Sequence, residues 1–202
     1  MPGLALVLWA AFGLLAIGGR VLIHRSRTGA SGVHGISDAS RPVEWVGGAL
    51  FVGGIVVAVL GPTLELAESI EPIEALDRTG IQVAGLVLFG LCLTLTLLAQ
   101  GAMGASWRIG VDPHERTGLV TDGLFGIVRN PIYSGMIPAI IGLALVSPTV
   151  LSLAGAFAAI VGIEVQVRAV EEPHLRRSHG DAYAAYAARV GRFVPGLGKL
   201  RS

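Results

Sequence analysis

The chain has 202 residues, of which 52% are hydrophobic and 14% are charged, and its formal net charge is +1. A soluble domain carries roughly 25% charged residues, so this composition does not supply enough charge to cover a water-exposed surface. The near-neutral charge gives no indication of nucleic-acid binding. The single cysteine, Cys92, lies in an apolar run and cannot form an intrachain disulfide. These features predict an integral membrane protein.

Apolar segments follow one another along the chain at lengths suited to crossing a bilayer. A helix of about 20 apolar residues spans the hydrocarbon core. The segments are 2–23, 43–66, 80–103, 132–147 and 149–167. The first lacks the charged start and the cleavage site of a signal peptide, so we expect it to be retained. The last two are separated by Ser147-Pro148, which predicts a helical hairpin because proline is disfavoured within a helix. The pattern therefore predicts an all-α integral membrane fold with about five transmembrane helices.

The charged residues between these segments are distributed asymmetrically. The stretches 24–41 and 107–130 and the segment after 167 are rich in arginine, whereas 65–77 is acidic. Because basic residues favour the cytosol, we expect the N-terminus outside and the C-terminal tail in the cytosol of a multi-pass plasma (inner) membrane protein. We expect one membrane domain over 1–202, in which 1–79 supplies two helices and 80–202 supplies three helices and the tail.

The tail after the fifth segment has a helical pattern. Pro173 suits a first turn, Gly180 suits a helix end and Asp181 suits a new N-cap. An apolar and aromatic face recurs at helical spacing through Tyr183, Tyr186, Ala187 and Val190. The sequence predicts a C-terminal amphipathic helix in the cytosol, lying on the membrane interface or closing over the bundle.

Polar residues at the predicted cytosolic boundary form three clusters. Arg129 and Asn130 precede the fourth helix, and Tyr133 lies one turn into it. The N–H groups at a helix N-terminus favour an anion such as a carboxylate. A positive-inside anchor is the structural alternative for Arg129.

The second cluster lies at the end of the fifth helix, and the third lies after the tail helix. Glu164 and Arg168 are four residues apart, so they are expected to pair, and Glu171-Glu172 follow. The two glutamates alone would also suit a solvated helix end. Arg192 forms the third cluster. The location of all three clusters at one membrane face favours a functional site.

In order and spacing, these residues resemble the isoprenylcysteine carboxyl methyltransferase and phospholipid methyltransferase superfamily over 100–197. The stretch 119–125 follows its Leu-Val-x-x-Gly-Pro-Tyr pattern up to Gly123, with Leu124-Phe125 in place of Pro-Tyr, and 129–133 follows Arg-His-Pro-x-Tyr except at position 130. The paired glutamates, Gly180 with two spaced tyrosines, and Arg-x-x-Pro at 192–195 follow in the same order. Asn130 replaces the usual histidine and cannot titrate, and Phe125 replaces a tyrosine.

The resemblance implies an S-adenosylmethionine-dependent methyltransferase whose cofactor lies between the last helices and the tail. Glu171 would pair with the cofactor amino group, and Arg192 would orient the acceptor. Glu171 or Glu172 is the nearest candidate base for a thiol or amine acceptor. The cofactor-binding residues implied are Leu119, Val120, Gly123, Phe125, Arg129, Asn130, Tyr133, Glu171 and Glu172. The partners implied are membrane lipids and a lipid-like acceptor from the bilayer.

Several alternatives stay open. The acceptor group is a carboxylate, an amine or a thiol, and the sequence predicts no oligomeric state. An NADPH-dependent reductase of the sterol-reductase type is disfavoured because Ser134-Gly135, rather than an acidic residue, follows Tyr133. A non-enzymatic membrane scaffold is the third interpretation. No metal site is predicted, because no ligand set surrounds the histidines at 24, 34, 114, 174 and 179.

Overall fold

A computed structural model of the protein describes residues 1–29, 31, 42–104, 107 and 118–200. The described residues are helical, with an isolated parallel β-bridge and no strand. Four helices are long and apolar enough to cross a membrane, and a fifth apolar helix is shorter. The elements are α1 (Pro2–Thr28), α2 (Pro42–Leu66), α3 (Thr79–Met103), the single turn α4 (Leu124–Ile127), α5 (Pro131–Val146) and α6 (Val150–Arg189). The predicted all-α membrane fold is confirmed.

Two of these helices contain π-helical segments. In α1 the segment Gly13–Gly19 separates α-helical Pro2–Phe12 from Arg20–Thr28. In α6 the segment Gln166–Glu171 follows Val150–Val165. A π-helical turn has hydrogen bonds between residues i and i+5. The side chains on either side of it are therefore not related by the usual 3.6 residues per turn.

The last part of α6 is the predicted tail helix. Gly180 has φ 51° and ψ −127°. This backbone conformation is not helical, and glycine adopts it more readily than other residues do. The predicted interruption is therefore present, as a kink at which two helical stretches of α6 meet. Tyr183, Tyr186 and Ala187 beyond the kink are buried together, and Leu119 from the stretch before α5 packs against them.

The predicted hairpin between the last two apolar segments is also present. Val146 ends α5, and Thr149 caps α6 by accepting a 3.0 Å hydrogen bond from the Ser152 backbone N–H. The Ser147 hydroxyl donates to the Glu65 carboxylate and fastens this turn to the end of α2.

Close backbone contacts hold the bundle together. A Cβ atom at Gly54 of α2 would lie 2.4 Å from the Ala159 nitrogen of α6, and a Cβ atom at Gly142 of α5 would lie 2.6 Å from the Gly85 oxygen of α3. Small residues permit such contacts within a membrane. Both pairs run antiparallel. The end of α3, the start of α5 and the π-helical segment of α6 therefore lie at one end of the bundle, called the site end below.

Candidate active site

The C-terminal segment is fixed beside the start of α5 by backbone hydrogen bonds. Val128 forms the β-bridge with Gly191. The N–H groups of Arg129 and Asn130 donate to the oxygens of Gly191 and Arg192, at 2.7 Å and 3.0 Å. A Cβ atom at Gly191 would lie 2.2 Å from the Val194 oxygen, so this turn requires glycine. The tail therefore contributes its side chains to the site end of the bundle.

Glu172 is the centre of a buried charge cluster. Arg192 donates to its two carboxylate oxygens from Nε and Nη2, at 2.9 Å and 2.8 Å. Arg129 donates to the same carboxylate from Nη2 at 2.6 Å. Glu172, Arg129 and Arg192 are only 7%, 5% and 9% exposed. The hydrogen bond to Glu172 raises the pKa of Arg192 despite partial burial. Two guanidinium groups thus share one carboxylate, and the bidentate contact fixes the plane of Arg192.

Arg129 is further surrounded by backbone carbonyls of the tail. Its Nη1 donates to the oxygens of Ala187 and Val190 at 3.1 Å and 2.5 Å, and its Nη2 donates to Gly198 at 3.0 Å. Its buried Nε has no partner among the described residues. The resemblance implied that Arg129 is one of the residues that bind the cofactor. In the structure both terminal nitrogens bind protein acceptors, and only Nε remains as a donor.

Tyr133 and Glu171 connect α5 with α6. The Tyr133 hydroxyl donates to the Glu171 carboxylate at 2.6 Å. Asn130 lies one turn earlier, and its side-chain amide donates to the Arg192 oxygen at 3.3 Å. Ser134, which the sequence analysis did not single out as a site residue, donates to the Phe193 oxygen at 2.7 Å. A carboxylate, a phenol and an amide are thus positioned at the first turn of α5.

The stretch before α5 lies against the tail helix. Leu119 packs against the buried Tyr183 and Tyr186. The Tyr186 hydroxyl donates to the Phe125 oxygen at 2.6 Å, and Phe125 itself is buried. Gly123, with φ +59°, precedes α4. Val120 lies in the same stretch and is half-buried.

The structure therefore brings together the three clusters that the sequence separated by up to 63 positions, from Arg129 to Arg192. Glu164 and Arg168 form the expected ion pair, with the Arg168 side chain 58% exposed. Sequence reasoning did not identify Ser134 or Gly191 as site residues. The glycines at positions 191, 196 and 198, on either side of Arg192, could have indicated a tightly folded tail. Within the described residues no cluster suited to a metal ion is present, and the histidines at 34 and 114 lie outside them.

Comparison with known families identifies the chain. The family model for phospholipid methyltransferase matches residues 81–182, half of the sequence. The chain belongs to the phospholipid methyltransferase family. The match contains Tyr133, Glu171 and Glu172 and ends before Arg192. This confirms the predicted superfamily, and the protein is a multi-pass membrane methyltransferase of this type.

A solved structure has a similar fold. It is that of a eukaryotic intramembrane Ras methyltransferase, an isoprenylcysteine carboxyl methyltransferase, without a monobody. The TM-score is 0.58 at 20% identity, and the match covers 99% of this chain and 75% of that chain. No curated protein matches the sequence of this phospholipid methyltransferase family member.

Proposed function

We propose that the protein transfers a methyl group from S-adenosylmethionine to an amphiphilic acceptor that reaches the site end from the bilayer. The observation that carries this proposal is the convergence of Tyr133, Glu171 and Arg192 at one end of the bundle, within a fold of the methyltransferase family. The arginine distribution supports a cytosolic location for this end.

The residues present fit the chemical groups of S-adenosylmethionine. Its ammonium group suits the Glu171 carboxylate, which Tyr133 orients through the 2.6 Å hydrogen bond. Its carboxylate suits the first turn of α5, with the Asn130 amide and the buried Nε of Arg129, which has no partner among the described residues. Glu172 would contribute indirectly by holding both arginines. Leu119, Val120, Gly123 and Phe125 would line the adenosine.

The chain's own contribution to catalysis would be positioning and exclusion of water. When bound, S-adenosylmethionine supplies an electrophilic methyl group on a sulfonium. Alignment of two reactants converts a bimolecular step into an effectively unimolecular one. Glu172 engages the Nε and Nη2 edge of Arg192, which leaves its Nη1 edge to orient the acceptor.

The need for a base depends on the acceptor. A carboxylate acceptor is already a nucleophile at neutral pH and needs no proton removed. A thiol or an amine would have to lose a proton, and Glu171 is the candidate base at this end of the bundle. An acceptor with an alkyl or isoprenoid chain could approach sideways through the apolar surface of the bundle.

The proposal is tested with purified protein, a total lipid extract and S-adenosylmethionine carrying a labelled methyl group. Mass spectrometry is expected to find labelled amphiphiles, and Glu164→Gln is expected to retain the activity that Glu171→Gln loses. Parallel titrations with S-adenosylmethionine and NADPH distinguish a methyltransferase from the reductase alternative. Binding of NADPH without S-adenosylmethionine would contradict the proposal, as would binding of neither.

A further inference from the structure

A polar stripe runs along the inner face of α1, outside the segment that matches the family. Ala16, Arg20 and His24 are all buried and therefore lie on the inner face of this helix. Arg20 is 5% exposed and His24 is 6% exposed. A buried cation in an otherwise apolar membrane helix is costly and marks a functional site by default.

The stripe contacts the end of α3 and Trp107. The Gln100 amide donates to the Ala16 oxygen at 2.8 Å, and Arg20 Nη2 donates to the Gly104 oxygen at 2.5 Å. The Arg20 guanidinium lies 5.1 Å from the centroid of the Trp107 ring, and the His24 ring lies 5.6 Å from the same ring. Arg20, His24 and Gln100, called the α1 polar cluster below, are thus held in place by neutral groups.

Three buried atoms of the α1 polar cluster have no hydrogen-bond partner in the part of the chain that the structure describes. They are Arg20 Nε, His24 Nδ1 and Gln100 Oε1. No ion pair joins Arg20 to a carboxylate of the described residues. An unsatisfied buried polar atom costs about 1–3 kcal/mol, and more when its group is charged. An anion that accepts from Arg20 and His24 would remove this cost at these two residues.

The α1 polar cluster lies at the site end of the bundle. Ala16, one turn before Arg20, belongs to the apolar core against which Ile132 and Tyr133 pack. The π-helical segment of α1 ends immediately before Arg20, as the one in α6 ends at Glu171. Such segments are frequent at functional sites. Leu22 and Ile23 beside the cluster are 69% and 46% exposed, so an alkyl chain has apolar surface to follow.

We propose that the α1 polar cluster binds the oxyanion headgroup, a carboxylate or a phosphate, of an amphiphile in the bilayer. Arg20 Nε and His24 Nδ1, in the tautomer that carries hydrogen on Nδ1, donate to the oxyanion. Gln100 Oε1 accepts from a hydroxyl or N–H group of the same headgroup. Two sources share this chemistry, namely the methyl acceptor and a resident anionic lipid. The site goes beyond the proposed methyl transfer and does not depend on it.

The test uses the full-length protein in a neutral detergent, without methyl donor, and native mass spectrometry. The probes are dioleoyl phosphatidic acid and its neutral match dioleoylglycerol, and likewise oleate and oleyl alcohol. Wild type is expected to retain the anionic member of each pair. Arg20→Gln is expected to weaken that retention by about tenfold or more, equivalent to about 1.4 kcal/mol. Arg27→Gln is the matched control, because it removes an exposed arginine from the same helix end.

Equal retention of anionic and neutral probes by wild type, or equal effects of Arg20→Gln and Arg27→Gln, would overturn the proposal. If Arg20→Gln does not fold, His24→Phe decides the question. This substitution keeps an aromatic ring against Trp107 and removes Nδ1. It is expected to weaken retention of the anionic probe about threefold, the effect of losing a single neutral hydrogen bond. Unchanged retention would overturn the proposal. Addition of S-adenosylmethionine in a separate arm distinguishes the sources. A methyl mass increment on the retained probe identifies an acceptor, and an unmodified probe identifies a resident lipid.

Discussion

The Tyr133 hydroxyl donates a 2.6 Å hydrogen bond to the Glu171 carboxylate and joins the first turn of α5 to the end of the π-helical segment of α6. Both residues are half-buried, so this contact is not fully enclosed by the protein. It orients the carboxylate that we assign to the cofactor ammonium group. Loss of charge at position 171 should therefore affect cofactor binding more than folding.

We predict that Glu171→Gln weakens binding of S-adenosylmethionine at least about tenfold. Removing one member of a buried ion pair costs about 3–5 kcal/mol, and a half-buried position reduces that cost. Each 1.4 kcal/mol corresponds to about tenfold in affinity. Calorimetric titration measures the change. Glu164→Gln, which removes a carboxylate whose Arg168 partner is largely exposed, serves as control. Wild-type affinity in Glu171→Gln would refute the assignment.

Glu172→Gln has a different predicted effect, namely loss of stability. The substitution leaves two buried guanidinium groups without their shared carboxylate. We expect the free energy of unfolding to fall by about 3 kcal/mol, the lower end for breaking a buried pair. Thermal unfolding in detergent compares the stability of Glu172→Gln with that of the control variant Glu164→Gln. Equal unfolding temperatures would show that the charge cluster contributes little to stability.

The sequence predicted the parts of this fold that depend on local composition. The five apolar segments, the hairpin at Ser147-Pro148 and the interruption at Gly180 each follow from the residues at those positions. The Glu164–Arg168 pair follows from helical spacing. The residues of the site were found through their order, which the resemblance to the family made interpretable.

The features that the sequence did not indicate depend on contacts distant along the chain. Arg129 binds carbonyl oxygens up to 69 positions away, and a carbonyl has no sequence signature. Gln100 and Ala16 are 84 positions apart, so no local pattern joins α1 to α3. The π-helical segments shift side chains by one residue without a distinctive composition. Tertiary packing determines each of these features.

Arg192→Ala is predicted to slow turnover while the affinity for S-adenosylmethionine stays within about threefold, or about 0.65 kcal/mol. Arg192 is assigned to the acceptor, and Arg129 still neutralises Glu172 in its absence. Single-turnover kinetics and calorimetry separate the two quantities. Arg192→Lys keeps the charge but not the bidentate contact, so it should recover only part of the rate. Equal losses of cofactor affinity in Arg192→Ala and Glu171→Gln would contradict the division of roles.

The arginine distribution predicts that the two ends of the chain face opposite sides of the membrane, with the C-terminus in the cytosol. Single cysteines at positions 69 and 202, introduced in a Cys92→Ala background, report the two sides. An impermeant thiol reagent added to intact cells is expected to label position 69 and to leave position 202 unlabelled until the cells are opened. Labelling of position 202 in intact cells would reverse the orientation.

Neighbouring glycines in α2 provide a matched test of how the bundle is packed. A Cβ atom at Gly54 would lie 2.4 Å from the Ala159 nitrogen and 2.7 Å from the Gly155 oxygen, whereas a Cβ atom at Gly53 would meet no atom within 4 Å. Alanine is favoured over glycine in a helix by about 1 kcal/mol, so Gly53→Ala should be neutral or stabilising. Gly54→Ala gains the same propensity but must separate α2 from α6.

We expect Gly54→Ala to reduce the free energy of unfolding by about 1–3 kcal/mol, the range for overpacking. Unfolding by sodium dodecyl sulfate in mixed micelles measures both variants against wild type. Because α6 carries Glu171 and Glu172, a shift of α6 away from α2 should also lower methyl transfer in Gly54→Ala and leave it unchanged in Gly53→Ala. Equal stability of the two variants would mean that α2 and α6 do not pack through this backbone contact.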